Sequence, residues 1–241
     1  MSTNQLVQLS PSKSLLSLNI RNVDNFFSGF TEGDFAVIYG SPSATALTTL
    51  LCVRGQLPRQ LGGLNSKVLF IDGGNTFNLY KIAQLARIHY LNPKQVLDNI
   101  YISRAFTAYQ VASLIMQRLK KTIQRLDTKL VIISDISGFF LDNDLPDDEA
   151  QSVFNQVLTY LTNSAIENKV VLIATYLPHK SNGRASSFQK LAVTKANVVL
   201  SLTQTKYAKT INLEKHPHLP LCSVDLSPQN TTLTDFMEDS A

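Results

Sequence analysis

Cysteine is nearly missing from this chain. Cys52 and Cys222 stand 170 positions apart, with no CxxC pair and no Cys/His ligand spacing, which argues against a disulfide framework or a structural zinc site and for a reducing compartment. Long apolar runs are missing as well: the longest, such as 130–133 and 170–174, have strand length. The opening MSTNQLVQLS carries neither a basic n-region nor an apolar h-region, so neither a signal peptide nor a membrane span is expected. Charge is sparse, at 17% of residues against 44% apolar, a balance that fits a packed cytoplasmic protein and argues against low-complexity, collagenous and coiled-coil chains. No GxSxG, HExxH or GxGxxG motif occurs, and His89, His179, His216 and His218 share no ligand spacing, so no metal site and no catalytic residue is expected. Internal repeats and interior linkers are also lacking. With 241 residues and roughly 100 to 200 residues per domain, one domain over residues 18–227 is the economical assignment. It would lie between a mobile N-terminal segment, 1–17, and an acidic mobile tail, 228–241.

What charge there is falls unevenly. Net charge is +4, but between Tyr176 and His218 seven cations (Lys180, Arg184, Lys190, Lys195, Lys206, Lys209, Lys215) face a single acid, Glu214. The remainder of the chain is net negative. Residues 142–149 (DNDLPDDE) are acidic without a cation, and every charge after Val224 is negative. Such a basic stretch is either a solvated face or an anion-binding surface.

Short β-branched runs alternate with longer amphipathic ones, the pattern of repeated βα units on a mostly parallel sheet. Strands are expected at 35–39 (FAVIY), 68–72 (VLFID), 100–103, 130–135 (LVIISD), 170–175 (VVLIAT) and 198–202. A helix is expected over 107–126, where Ala112, Ile115, Met116, Leu119, Ile123 and Leu126 recur at spacings of three and four and Thr107 supplies the N-cap. Another is expected over 147–168, with Val153, Val157, Leu161 and Ala165 as its stripe and the acids Asp147, Asp148 and Glu149 complementing its N-terminal dipole. Beyond the sixth strand, 205–213 and 219–225 alternate like antiparallel edge strands around HPHLP.

In such a sheet, chemistry gathers at the carboxyl ends of the parallel strands, where loops and helix N-termini converge. The first strand runs into Gly40-Ser-Pro-Ser-Ala-Thr-Ala-Leu-Thr-Thr, a glycine-opened turn followed by a helix. This is the place of a phosphate loop, GxxxxGK[ST]. Its second glycine lets backbone N–H groups wrap the phosphates, its lysine holds the terminal ones, and its hydroxyl meets magnesium. Counting from Gly40, those three positions hold Thr45, Ala46 and Leu47. A slip of one residue brings Thr48 to the hydroxyl position but leaves Leu47 at the lysine's, so no register restores the cation. The vestigial site comprises Gly40, Thr48 and Asp135, the last an acid closing an apolar strand as magnesium-side carboxylates do, and as ordinary loop caps also do. A pocket that holds no triphosphate gains by being filled, so Leu47 is expected to pack inward and the pocket to shrink.

These motifs together carry a resemblance. The run Asn99-Ile-Tyr-Ile-Ser-Arg104-Ala-Phe106-Thr-Ala-Tyr-Gln110 lies between FIDGGNTF and LVIISD, and Phe27-Ser-Gly-Phe30-Thr-Glu-Gly33-Asp-Phe precedes the first strand. Over about residues 18–213 this string is similar to the core of the RecA/RadA recombinase family, archaeal RadA and its paralogues above all. The resemblance implies an α/β fold, the three-layer RecA-like P-loop NTPase arrangement with a mostly parallel central sheet and C-terminal antiparallel edge strands. It also implies a water-polarising glutamate after the second strand, where this chain has Gly74. One preorganised transition-state donor is worth roughly 10²–10³ in rate, and here a cation and a base are both lacking. Hydrolysis of ATP is therefore not expected, nor is any cofactor. ATP with magnesium enters only under an alternative reading, a RecA-like ATPase with a non-standard phosphate loop.

Two DNA-facing loops are implied in addition. The first follows Asp135 and runs to Glu149; its five acids (Asp142, Asp144, Asp147, Asp148, Glu149) would repel a phosphate backbone. The second runs from Pro178 to Lys190, where Lys180, Arg184 and Lys190 would neutralise phosphates and Phe188 would stack a base; the alternative is an ordinary Ser/Asn/Gly loop with solubilising cations. The expected function is that of a recombinase paralogue without hydrolysis, an accessory factor in DNA recombination and repair. It would work in the cytoplasm, at the nucleoid, by assembling with RecA/RadA-like recombinase or paralogue subunits and touching single-stranded DNA. A purely structural subunit of a paralogue complex is a further alternative.

Overall fold

The computed structural model describes residues 15–142, 144–179, 183–205 and 208–226. Its strands are β1 (Leu15–Leu16), β2 (Phe30–Thr31), β3 (Phe35–Tyr39), β4 (Val68–Asp72), β5 (Ile100–Arg104), β6 (Leu130–Ser134), β7 (Val171–Tyr176), β8 (Val198–Gln204), β9 (Lys209–Lys215) and β10 (Cys222–Leu226). Its helices are α1 (Arg21–Asp24), α2 (Ser43–Arg54), α3 (Leu79–Ile88), α4 (Pro93–Asp98), α5 (Ala108–Ser113), α6 (Leu119–Leu126), α7 (Asp147–Asn168) and α8 (Gly183–Lys195). β1 and β2 form a small antiparallel pair, and the other strands form one sheet in the order β10-β9-β8-β3-β7-β6-β4-β5. From β8 to β5 neighbouring strands run parallel, whereas β9 and β10 join antiparallel at the far side.

Period-two alternation sorts each central strand between two cores. Ala36 and Ile38 of β3, with Leu130 and Ile132 of β6, face one layer with Leu47, Leu50 and Leu51 of α2 and Ile82 and Leu85 of α3. Phe35, Val37, Val131 and Ile133 face the other, with Ile115, Leu119 and Ile123 and with Phe154, Leu158 and Leu161 of α7. This is the three-layer α/β fold with a mostly parallel sheet and an antiparallel edge. No helix among the described residues is long and apolar enough to cross a membrane.

Three expectations about elements need correction. Residues 15–17 do not belong to a free N-terminal segment: Leu15 and Leu16 pair with Thr31 and Phe30, and Leu16 is fully buried. The cause is the buried Arg54, whose Nε donates to Ser17 O at 2.6 Å and whose Nη2 donates to Ser17 Oγ at 2.9 Å and Leu61 O at 3.0 Å. The helix over 107–126 begins as expected, with Thr107 Oγ1 accepting from Gln110 N, but a π-helical turn at Leu114–Arg118 divides it into α5 and α6. The antiparallel strands fall a few residues later than their alternation suggested, and the acidic tail 228–241 lies outside the described residues.

Candidate functional site at the strand carboxyl ends

Where β3 ends, Gly40 turns the chain in the left-handed region, with φ 102°. A Cβ at Gly40 would lie 2.6 Å from the carbonyl oxygen of Leu202 on β8, so only glycine lets the strands pack this closely here. Ser41 Oγ accepts from Ser43 N at 3.2 Å, and α2 begins. Its side chains at the phosphate-loop positions turn inward: Ala44 and Leu47 are fully buried in the core. The buried Thr48 hydroxyl donates to Thr45 O at 3.0 Å, as Thr49 does at 2.7 Å. The expectation that Leu47 packs inward holds, but the pocket is not closed. A cavity of about 320 Å³ remains over α2, walled by Ser43, Thr45, Thr49, Thr76, Lys81 and Lys209 among others.

The second strand end holds a buried carboxylate. Asp72 Oδ1 accepts from Ser134 Oγ and from Thr76 N, each at 2.9 Å, and Oδ2 lies 3.4 Å from Arg104 Nε. Gly74, at the position of the implied glutamate, donates its N–H to Ser134 Oγ at 3.2 Å. A Cβ there would meet Asp135 Cβ at 2.8 Å and Thr76 Cγ2 at 3.0 Å, so a carboxylate side chain has no place without movement of its neighbours.

Asp135 follows β6 with φ 46° and donates its N–H to Thr175 Oγ1 on the adjacent β7 at 2.8 Å. Its Oδ1 lies 2.9 Å from His179 Nε2 and accepts from Ser137 Oγ at 3.4 Å. The hydrogen bond to Asp135 raises the pKa of His179 above its ordinary value, against an opposing effect of burial. Asp135 is thus engaged by an imidazole in this structure. His179 has no sequence motif; its one signal is position, three residues beyond a strand whose neighbour, β6, is followed by Asp135. Beside the pair, Tyr39, Gly40, Tyr176 and Ser186 help to line a cavity of about 260 Å³. Burial pushes both phenols up to about 12, with Glu214 adding to the effect at Tyr39 and Asp135 to that at Tyr176.

The candidate DNA loop is rearranged. Arg184 is no exposed cation: Nη1 donates to Asp142 O at 2.7 Å, Nη2 donates to Leu145 O, and Nε lies 2.7 Å from Asp147 Oδ1. It holds the acidic stretch rather than offering charge to DNA. Phe188 is 1% exposed and stacks on Phe154 with ring centroids 4.7 Å apart, so it cannot stack a base. Lys180 lies outside the described residues, and Lys190 is exposed on α8.

A surface that the sequence did not single out lies at the opposite end of the sheet. Among the described residues β5 pairs with β4 alone, so one side of its backbone has no ladder partner there, and Tyr101 and Ile102 are 37% and 44% exposed. Two hollows of about 570 and 360 Å³ adjoin it and share Leu114 and Arg118. The floor of the larger one includes Leu69, Ile71, Leu114 and Leu119, and its rim carries Arg118, Lys121 and Arg125.

Residues 15–199 match the family model described as Rad51. Over 91 residues, 37% of the chain, the sequence is 35% identical to the DNA repair and recombination protein RadA of Cenarchaeum symbiosum (strain A). The aligned stretch covers 22% of that relative's length.

Proposed function

The chain belongs to the Rad51 family, with a RecA/RadA-type core, and we propose that it serves DNA recombination and repair as an accessory subunit that assembles with recombinase-like chains and does not hydrolyse ATP. One observation carries the loss of hydrolysis: where a phosphate loop presents a lysine and a hydroxyl, Leu47 is buried in the core and Thr48 donates to its own helix. With no fixed cation there, ATP·Mg²⁺ at about 1 mM leaves the melting temperature unchanged, whereas a ligand at 100 times its Kd adds about 2.7 kcal/mol of stability and raises it. Phosphate release stays at background. Micromolar affinity for ATP, read by calorimetry, overturns this reading.

The free edge of β5 favours assembly. An edge strand with exposed apolar side chains is a template for a partner's strand. In this reading DNA contact rests on Lys190 and Lys180. Replacing both with alanine weakens single-stranded DNA binding and flattens its dependence on salt, because each neutralised phosphate contributes to that slope. Fluorescence anisotropy across a salt series reads the effect, and an unchanged slope removes DNA from the function.

A second reading, an ATP-binding protein with cations supplied from outside the loop, is favoured by the cavity over α2, which Lys81 and Lys209 line. It requires measurable ATP affinity that K81A or K209A abolishes.

A further inference from the structure

The cavity over α2 is polar and basic. Lys81 of α3 and Lys209 of β9 stand in its wall with Ser43, Thr45, Thr49 and Thr76, and no described carboxylate lines it. Thr76 Oγ1 is buried without a hydrogen-bond partner among the described residues, although a buried hydroxyl is normally paired. The first turn of α2 carries no acid, so its own side chains leave the positive end of the helix dipole uncompensated. Two ammonium groups, an unpartnered hydroxyl and a helix N-terminus together fit a ligand that carries several carboxylates or phosphates.

The chain itself contains such a ligand, and the strand order brings it to this place. Gln204, Lys209 and Leu226 are partners across β8, β9 and β10. At about 4.8 Å per strand, the backbone of Leu226, where the described chain ends, lies about 5 Å from Lys209 and about 10 Å from Gln204, and both of those residues line the cavity. Residues directly opposite in a ladder share a face, and Leu226 is buried in the core layer of α2, so Lys209 is on that side as well. Beyond Leu226, residues 227–241 contain Asp235, Glu238 and Asp239 and no cation. The nine residues 227–235, fully extended, span at most about 30–32 Å, which leaves ample slack. A short linker holds its ends at an effective concentration of about 1 mM, about a thousandfold above a second copy at about 1 µM, so the segment meets its own cavity first. Residues 1–14 contain no acid and cannot supply the charge.

We propose that residues 235–239 fold back into the cavity over α2 of their own chain, with the carboxylates of Asp235, Glu238 and Asp239 against Lys81 and Lys209. The segment then stands where a phosphate loop holds its nucleotide, an internal occupant for a site that lacks the lysine. This goes beyond the loss of hydrolysis, and calorimetry with ATP decides that reading separately. Two measurements on the full chain test the segment. In the first, a carbodiimide joins ammonium to carboxylate groups in direct contact, in a mixture of isotope-labelled and ordinary chains at micromolar concentration. Lys81, which comes from α3 rather than from the strand beside Leu226, becomes linked to the peptide holding residues 235–239, and both halves of the product come from the same kind of chain. In the second, F236W supplies the only tryptophan of a chain that has none. Acrylamide quenches it weakly in F236W and severalfold more strongly once D235N/E238Q/D239N is added, a change that alters no described residue. Raising salt from about 0.1 M to about 0.5 M also increases quenching, because ions screen the contact. K81E/K209E exposes residue 236 in the same way, and adding D235K/E238K/D239K shields it again. No link at Lys81 while an exposed lysine such as Lys120 reacts, links only between labelled and ordinary chains, or equal quenching with and without the three carboxylates overturns the proposal.

Discussion

Asp135 and His179 meet because two adjacent parallel strands end side by side, and their bond ties the root of the acidic stretch to the root of the basic one. The bond raises the pKa of His179 above its ordinary 6.5, so the folded state binds this proton more tightly than the unfolded chain does. The pair's contribution to stability is complete below pH 6.5 and fades as pH rises through the raised value. H179Q therefore lowers the melting temperature at about pH 6 and much less at about pH 9; an equal loss at both values refutes the linkage. Burial lowers the pKa of His89 and His216, which makes acid destabilising at those sites, but they are common to both proteins and cancel in the difference. A second residue-scale expectation concerns Phe188: F188A removes a ring stacked on Phe154 and costs about 3–5 kcal/mol in a urea titration, while the folded fraction binds DNA as the parent does. The missing lysine was legible by counting from Gly40. The roles of Arg184 and Phe188 were not, because an arginine and a phenylalanine among lysines read as a DNA loop until their partners, Asp142, Leu145 and Asp147 for the one and Phe154 for the other, are placed opposite them by α7 and the stretch that leads into it.

At the scale of elements, α7 keeps the bounds read from its periodicity, since its acidic first turn and apolar stripe agree about where it starts and which face it buries. The helix before it was read as unbroken because a π turn inserts a single residue, which leaves spacings of three and four nearly intact. The strands show a sharper limit. IYISR has the composition of an interior strand, and nothing local marks β5 as an edge; that follows from the absence of a further neighbour among the described residues. Ile102 makes this testable. Exposed as it is, I102K changes stability by no more than about 0.5 kcal/mol, yet it places a charge on a sheet edge open to a partner. Equal melting with lost capture of recombinase is the expected pair of results, and a large loss of stability shows that Ile102 is packed.

The whole molecule rests on two cores separated by one sheet, and α2 is anchored in the first of them. L47K puts an ammonium where a leucine is fully buried, so it must be desolvated or lose its proton. The melting temperature falls by several degrees, each 1 kcal/mol being worth about 2–4 °C in a chain of this size, and ATPase activity does not appear. ATP binding gained at unchanged stability shows instead that the cavity needs only a cation. Parallel βα architecture was visible in the alternation of the chain, whereas strand order was not, because pairing between distant strands leaves no local mark. That order has a consequence for how the protein is made. β3 is the first strand of the large sheet to leave the ribosome, but its neighbours are β7 and β8, the last parallel strands to be synthesised. At about 5–20 residues per second, the roughly 130 residues from Tyr39 to Val171 take about 7 to 26 s. Through that interval FAVIY has neither flanking strand, so nascent chains stalled before residue 171 are protease-sensitive and hold chaperones, and release from both comes only once β7 has emerged.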